Sequence, residues 1–427
     1  MLNKRIGLLA LGVLSATQAM ANDQADAKGF VEDSHLNVLA RNAYISRDYK
    51  NNKQDKAEWG QSFLGTFSSG FTQGTVGVGV DAFGIYALRL DGGQGKSGAG
   101  GIDFFKQGAS GKAADDLAKA GAAVKVRVSN TVLKYGDQMP ALPVLMYDNS
   151  RLAPESYTGT LLTSKEIDGL ELNVGRFTAE SRKSAEARDS GDLKSINVFG
   201  GSYKFTDDLS ASLYASDMED VLRKQYLGLT YAIPLEDKQS LTLDFNGYRT
   251  HLNKDYARDV LGLDGQNNKI WSLAGTYAFG PHSLVLAYQQ STGETGYQYG
   301  GYRNAGGIGD GGNTILLANS YWSDFNAKDE RSWQLGYGFD FGAVGIPGLT
   351  YNIAYVRGSN IDDGTDRGRG TEREIFNQAK YVVQSGPAKD LSLRLRGSWL
   401  RVSNNASNYN VGGNEVRVFV DYPISVF

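Results

Sequence analysis

The 427-residue chain has no cysteine, 8 prolines and 3 histidines. Without cysteine there is neither a disulfide scaffold nor thiolate chemistry. His35, His251 and His282 fall at no spacing that suits a metal site or a catalytic triad. No nucleophile, base and orienting group form a recognisable set, so neither an enzyme nor a cofactor is expected. A formal net charge of −3 excludes a generally basic nucleic-acid binder. Beyond the N-terminus no segment approaches the ~18 uninterrupted apolar residues of a helical membrane span. The mean hydropathy of −0.36 is likewise low for a helical membrane protein. The glycines at 75–84 precede no helix, so they form no phosphate loop. Gly-Gly-Ile-Gly-Asp-Gly-Gly at 306–312 occurs once and has its Asp out of register for a calcium-binding turn, which leaves a flexible loop.

What is present is alternation. The first 21 residues form an export signal: Lys4 and Arg5, an apolar stretch from Ile6 to Leu14, and the small-x-small site Ala19-Met20-Ala21. Beyond it, apolar and polar residues alternate with a period of two in segment after segment. In 415–422, Val416, Val418, Val420 and Tyr422 share one face, and Glu415, Arg417, Phe419 and Asp421 the other. Trp333, Leu335, Tyr337, Phe339 and Phe341 repeat the pattern, as do Leu349, Tyr351, Ile353 and Tyr355. No helical segments lie between the strands to cover these faces, so a closed barrel with lipid outside and water inside is the economical solution. The alternation gives 18 strands, from 35–46 to 412–424, with the fourth and fifth at 119–135 and 139–147. Short turns such as Thr206-Asp207-Asp208 and Gly280-Pro281 alternate with long segments at 91–118, 251–267, 292–329 and 360–371. That asymmetry is typical of outer-membrane barrels, and an even count puts both termini on the periplasmic side. The expected architecture is all-β: one transmembrane antiparallel barrel over 22–427, following a signal peptide at 1–21. An 18-stranded barrel encloses an aqueous channel, so a selective one needs an inward-folded constriction loop, placed here at 147–156.

Parity also assigns the cations. With Leu391, Leu393 and Leu395 facing lipid, Arg394 and Arg396 face the lumen. Val416, Val418 and Val420 send Arg417 inward, and the valines of 124–128 do the same for Lys125 and Arg127. Lys380 points inward if Ala379, Tyr381 and Val383 face lipid. An Arg on the lipid face near the midplane would cost about 2–4 kcal/mol. The six therefore line the lumen as a basic wall, a path for anionic groups rather than a set of isolated ion pairs.

Three tracts are long and unusual. They are Met-Pro-Ala-Leu-Pro-Val-Leu-Met-Tyr-Asp-Asn-Ser-Arg-Leu-Ala-Pro-Glu-Ser-Tyr (139–157), Gly-Phe-Thr-Gln-Gly-Thr-Val-Gly-Val-Gly-Val-Asp-Ala-Phe-Gly (70–84) and Tyr-Val-Val-Gln-Ser-Gly-Pro-Ala-Lys-Asp-Leu-Ser (381–392). With the terminal Asp-Tyr-Pro-Ile-Ser they resemble the OprD-type porins, substrate-specific outer-membrane channels of pseudomonads. The resemblance runs the length of the chain. It implies an 18-stranded barrel with a narrow eyelet and a basic ladder, whose positions match Lys380, Arg394, Arg396 and Arg417. The family's eyelet Arg matches Arg151, with Tyr147, Asp148 and Ser150 beside it. An opposing electronegative pocket matches Ser320 and Asp324, with Tyr299, Asp310 and Thr314 upstream. The function implied is passive uptake of small carboxylate-bearing solutes, such as amino acids or aromatic acids, across the bacterial outer membrane. Its partners would be those solutes and the surrounding lipid and lipopolysaccharide, and the protein would be a monomer or weak homotrimer. The competing readings are a general diffusion porin and a structural or adhesive barrel with a plugged lumen. The chain departs from the family in ending Val-Phe and in the spacing of its 292–329 loop.

Overall fold

A computed structural model describes residues 24–92, 96, 102–108, 110–189, 193–236, 239–301, 303–304, 307–308 and 315–427. The proposed signal peptide lies outside them. The chain forms an 18-stranded antiparallel sheet closed on itself. In chain order the strands are β1 (His35–Tyr49), β2 (Lys56–Ser68), β3 (Val76–Asp91), β4 (Asp116–Val128), β5 (Thr131–Gln138) and β6 (Ser156–Ile167). They continue as β7 (Leu170–Ser181), β8 (Ile196–Lys204), β9 (Leu209–Met218), β10 (Leu222–Pro234), β11 (Ser240–Leu252) and β12 (Asn267–Phe279). The last six are β13 (His282–Gly293), β14 (Arg331–Asp340), β15 (Leu349–Ile361), β16 (Gly370–Val382), β17 (Ser392–Val402) and β18 (Gly413–Ser425). Each pairs with the next, and β1 closes on β18 from Asn37↔Ser425 to Tyr49↔Gly413. Closure satisfies every strand edge inside the hydrocarbon layer. No helix among the described residues is long and apolar enough to cross a membrane.

The faces follow the alternation. Leu335, Leu395, Trp399 and Val416 are exposed on the outside, with Leu395 51% accessible, while Gln334, Glu415 and Arg417 are buried inside. Long connections and short turns segregate to opposite ends, and both ends of the sheet leave on the short-turn side.

The fourth and fifth strands differ from the sequence expectation. A tight turn at Ser129-Asn130, with Ser129 in the left-handed region (φ 51), splits 119–135 into β4 and β5, and Val128 pairs with Thr131 across it. The segment 139–147 is no barrel strand. It pairs only with itself, Ala141 opposite Met146 and Leu142 opposite Leu145. The cause is visible in the residues. Pro140 and Pro143 lack ladder donors, and Leu142, Val144 and Leu145 are all buried, so the stretch is apolar without alternating. It belongs to an inward loop at 139–155, longer than the expected 147–156.

Two further segments fill the barrel. Ile102, Phe104 and Phe105, from the long connection at 91–118, pack completely buried against Ala43, Ile45, Ile85, Ala87, Leu117 and Leu152. On the other side, Leu142, Val144 and Leu145 join Tyr297, Ile315 and Leu317 against Tyr214, Tyr226, Tyr248 and Ile270 of β9–β12. The core of this protein thus lies between folded-in loops and two arcs of the inner wall, one on β1–β4 and one on β9–β12.

Candidate functional site: a channel constriction

The loop at 139–155 is pinned along its length. Asp148 N donates to Glu155 Oε2 at 2.9 Å and Glu155 N to the Asp148 carbonyl at 3.0 Å. Ser150 N caps Asp148 Oδ1 at 2.6 Å, and Lys183 Nζ stands 3.0 Å from both Asp148 and Glu155. Burial pushes the Asp148 carboxyl up, but Lys183, Arg151 and Ser150 outweigh it and hold it below the ordinary carboxylate range. Arg151 donates through Nε to the Ile102 carbonyl at 2.7 Å, so one inward loop braces the other. Burial and the facing charges of Arg417 and Arg47, opposed by Asp148, lower the Arg151 guanidinium to about 10, which leaves it charged at neutral pH. Tyr147, partly buried, packs against the loop's apolar cluster. All four expected eyelet residues therefore occupy one ordered loop inside the barrel.

The wall beside it is built by cross-strand register. Lys380 of β16 is directly opposite Arg394 of β17, and Arg394 opposite Phe419 of β18. In the next inward row Gln378 is opposite Arg396 and Arg396 opposite Arg417. Residues opposite each other on one face have Cβ atoms roughly 5 Å apart, so the four cations form one contiguous surface. Arg394 stacks over Phe419 (4.5 Å to the ring centroid) and Arg396 over Phe376 (5.0 Å). Arg396 also donates to Gln378 Oε1 at 3.0 Å. Among the described residues Lys380, Arg394 and Arg396 form no ion pair, whereas Arg417 is neutralised by Glu415 at 2.6 Å.

Two wall residues escaped the sequence reading. Arg47 binds Glu415 at 2.7 Å, and Arg41 binds Asp421 at 2.8 Å while donating to the Arg151 carbonyl at 2.8 Å. Alternation on β1 gives no uninterrupted apolar outward face from which to assign them. Its inward face carries apolar Ala43 and Ile45, which meet the folded-in loop, and its outward face carries Asn42 and Ser46. Lys125 and Arg127 face the lumen but do not join this wall. They lie on β4, with β1, β2 and β3 intervening, near the short-turn end. Lys125 binds Asp81 at 2.7 Å; Arg127 donates to Gln24 Oε1 at 2.8 Å and stacks on Phe71. Both are thus engaged by other side chains and stand apart from the β16–β18 cations, so the six do not form one continuous wall.

Against this wall, 319–326 is folded in and held by Glu374 of β16, which accepts from Trp322 N (3.2 Å), Ser323 N (3.0 Å) and Ser398 Oγ (2.6 Å). This places Asp324 where both Tyr299 OH and Ser320 Oγ donate to it. Burial raises the Asp324 carboxyl above its ordinary range, with the two hydroxyls and Arg417 opposing. Asn326 extends the cluster to Tyr299 at 3.3 Å and Tyr409 at 2.7 Å. Asp310, Thr314 and, apart from Gly307 and Ile308, the glycine run at 306–312 lie outside the described residues.

A closed lipid-facing barrel with a water-facing constriction is an outer-membrane channel of the porin class. The model of the OprD family of outer membrane porins matches residues 28–426, and the chain belongs to that family. It is 44% identical to Porin D of Pseudomonas aeruginosa over 96% of this chain and 95% of that one. Porin-like protein GalP of Pseudomonas putida is 34% identical, covering 94% and 95%. Among solved structures, OccAB1 of Acinetobacter baumannii superposes with a TM-score of 0.87 at 40% identity, over 95% of this chain and 99% of that chain. Pseudomonas aeruginosa OpdK, solved with vanillate, gives 0.79 at 30% identity over 93% and 100%. The protein is therefore an outer-membrane porin through which small solutes pass.

Proposed function

We propose that the channel selects small solutes carrying a carboxylate, amino acids or aromatic acids among them, and passes them without energy input. One observation supports the reading: Lys380, Arg394 and Arg396 form a cluster of lumen-facing cations that make no ion pair among the described residues. Guanidinium forks replace the hydration of a carboxylate with paired hydrogen bonds, and neighbouring forks allow handover. Several weak sites in sequence favour flux over retention. Asp324, Tyr299 and Ser320 offer acceptors and hydroxyls for the other end of a solute, such as an ammonium or phenol group. Support also comes from the OpdK structure, since vanillate is an aromatic carboxylate.

The test is uptake into liposomes containing the purified protein, using aromatic acids with their neutral amides and amino acids with their amides, which keep the ammonium and lose only the carboxylate. Faster uptake of acids than of amides of equal size is expected. Rates ordered by size alone would favour a general diffusion porin, and no uptake of any solute would favour a plugged structural barrel.

A further inference from the structure

The outward faces of β15, β16 and β17 carry a second row of cations. Arg357 is directly opposite Arg373, and Arg373 directly opposite Arg401. Like charges opposite one another on a sheet repel, so the row needs a counter-charge from somewhere. The adjoining outward positions supply none. One row toward the membrane centre stand Tyr355, Ile375 and Trp399, and one row toward the loops Ser359 and Thr371. Three of the carboxylates in the loops nearby are engaged, Asp362 by Lys328 and Arg369, Asp329 by Arg369, and Asp363 by Arg367, while Asp366 of the 362–369 loop makes no ion pair with the row. Asp48 on β1 is bonded by Asn414 at 3.0 Å. Arg357 and Arg373 are exposed and, among the described residues, have no ion-pair partner. Arg401 is partly tied to the Leu400 and Gly413 carbonyls and to Asn414.

The row lies at the end of the strands bearing the long loops 362–369 and 403–412, so it meets the outer leaflet. The lipid of that leaflet is a phosphorylated, multiply acylated glycolipid. Phosphate oxygens match neighbouring guanidinium forks, and the aromatic row beneath them meets acyl chains. We propose that Arg357, Arg373 and Arg401 form a docking site for the phosphate groups of lipopolysaccharide. Trp333, opposite Arg357, borders the site on β14.

Native mass spectrometry of the purified full-length barrel, titrated with bisphosphorylated lipid A and with its dephosphorylated form, tests this. The wild type should bind the phosphorylated lipid about tenfold more tightly. Arg357→Gln/Arg373→Gln should remove that difference while leaving single-channel conductance unchanged, which reports an intact barrel. A control, Arg176→Gln/Arg223→Gln, removes outward cations already bonded to Asn197 and Asp217 and should bind as the wild type does. Equal binding of both lipids by the wild type overturns the proposal without any variant. So does an equal loss in the control, which would mean a diffuse basic belt. Loss of barrel self-association in Arg357→Gln/Arg373→Gln, with lipid binding intact, would assign the row to a second copy instead.

Discussion

On β9–β12 the inward face carries Tyr214, Tyr226, Tyr248 and Ile270, packed beneath folded-in loops. On β16–β18 it carries Lys380, Arg394, Arg396 and Arg417, on the lumen side. Both arcs obey the same period of two, and both hide these residues from lipid. They differ in what lies on the lumen side. An inner wall that receives a loop is a hydrophobic core, while an inner wall that faces the pore keeps its charged side chains on the lumen. Folded-in loops packed on β9–β12 and on β1–β4 narrow this channel and leave the cations of β16–β18 along the remaining lumen.

The largest effect is expected where the packed arc is broken. Tyr248 is fully buried, donates to the Pro143 carbonyl at 3.2 Å and accepts from Leu316 N at 3.1 Å, so one side chain ties both loops to the wall. Truncating a buried aromatic costs roughly 3–5 kcal/mol. Tyr248→Ala should release the loops, raise single-channel conductance and make the 139–155 loop sensitive to protease. A closed strand ladder should keep the barrel folded.

Glu374→Gln sharpens the comparison from the other side. The amide keeps one acceptor oxygen where the carboxylate serves three donors, a loss on the order of 1–3 kcal/mol. The 319–326 segment should loosen, seen as increased current noise, and discrimination between an amino acid and its decarboxylated amine should weaken. The smallest effect is expected at Lys125→Met. Its ammonium is paired with Asp81, which Lys134 also binds, and it lies off the solute wall. Uptake of carboxylates should match the wild type; a marked loss would return Lys125 to the ladder.

Barrel, strand number and lipid-facing residues were legible in the sequence because a lipid face tolerates no exceptions in the midplane. Arg394, Arg396 and Arg417 were legible for the same reason, each being flanked by outward Leu or Val. Tyr299, Ser320 and Asp324, suggested by family resemblance, do meet in one cluster. The fourth and fifth strands were misplaced because 139–147 is apolar enough to look like a strand, although its apolar residues pack on a wall and not on lipid. Arg41 and Arg47 were missed because an inward loop reverses the usual polarity of β1: Ala43 and Ile45 point in. Periodicity reports which residues share a face. It does not report whether that face meets water, lipid or a returning loop.

The central claim, that free cations on β16 and β17 give the pore its preference for carboxylates, is tested most directly by one ratio. Uptake of benzoate is measured against benzamide in liposomes holding the wild type or Arg394→Ala/Arg396→Ala. An ion contact at 4 Å contributes about 4 kcal/mol at an effective dielectric of 20, and an aqueous lumen screens much of it. The ratio should therefore fall several-fold in the double variant while benzamide uptake stays constant. An unchanged ratio would contradict the claim, and an equal loss for both solutes would mean that the substitutions damaged the pore itself.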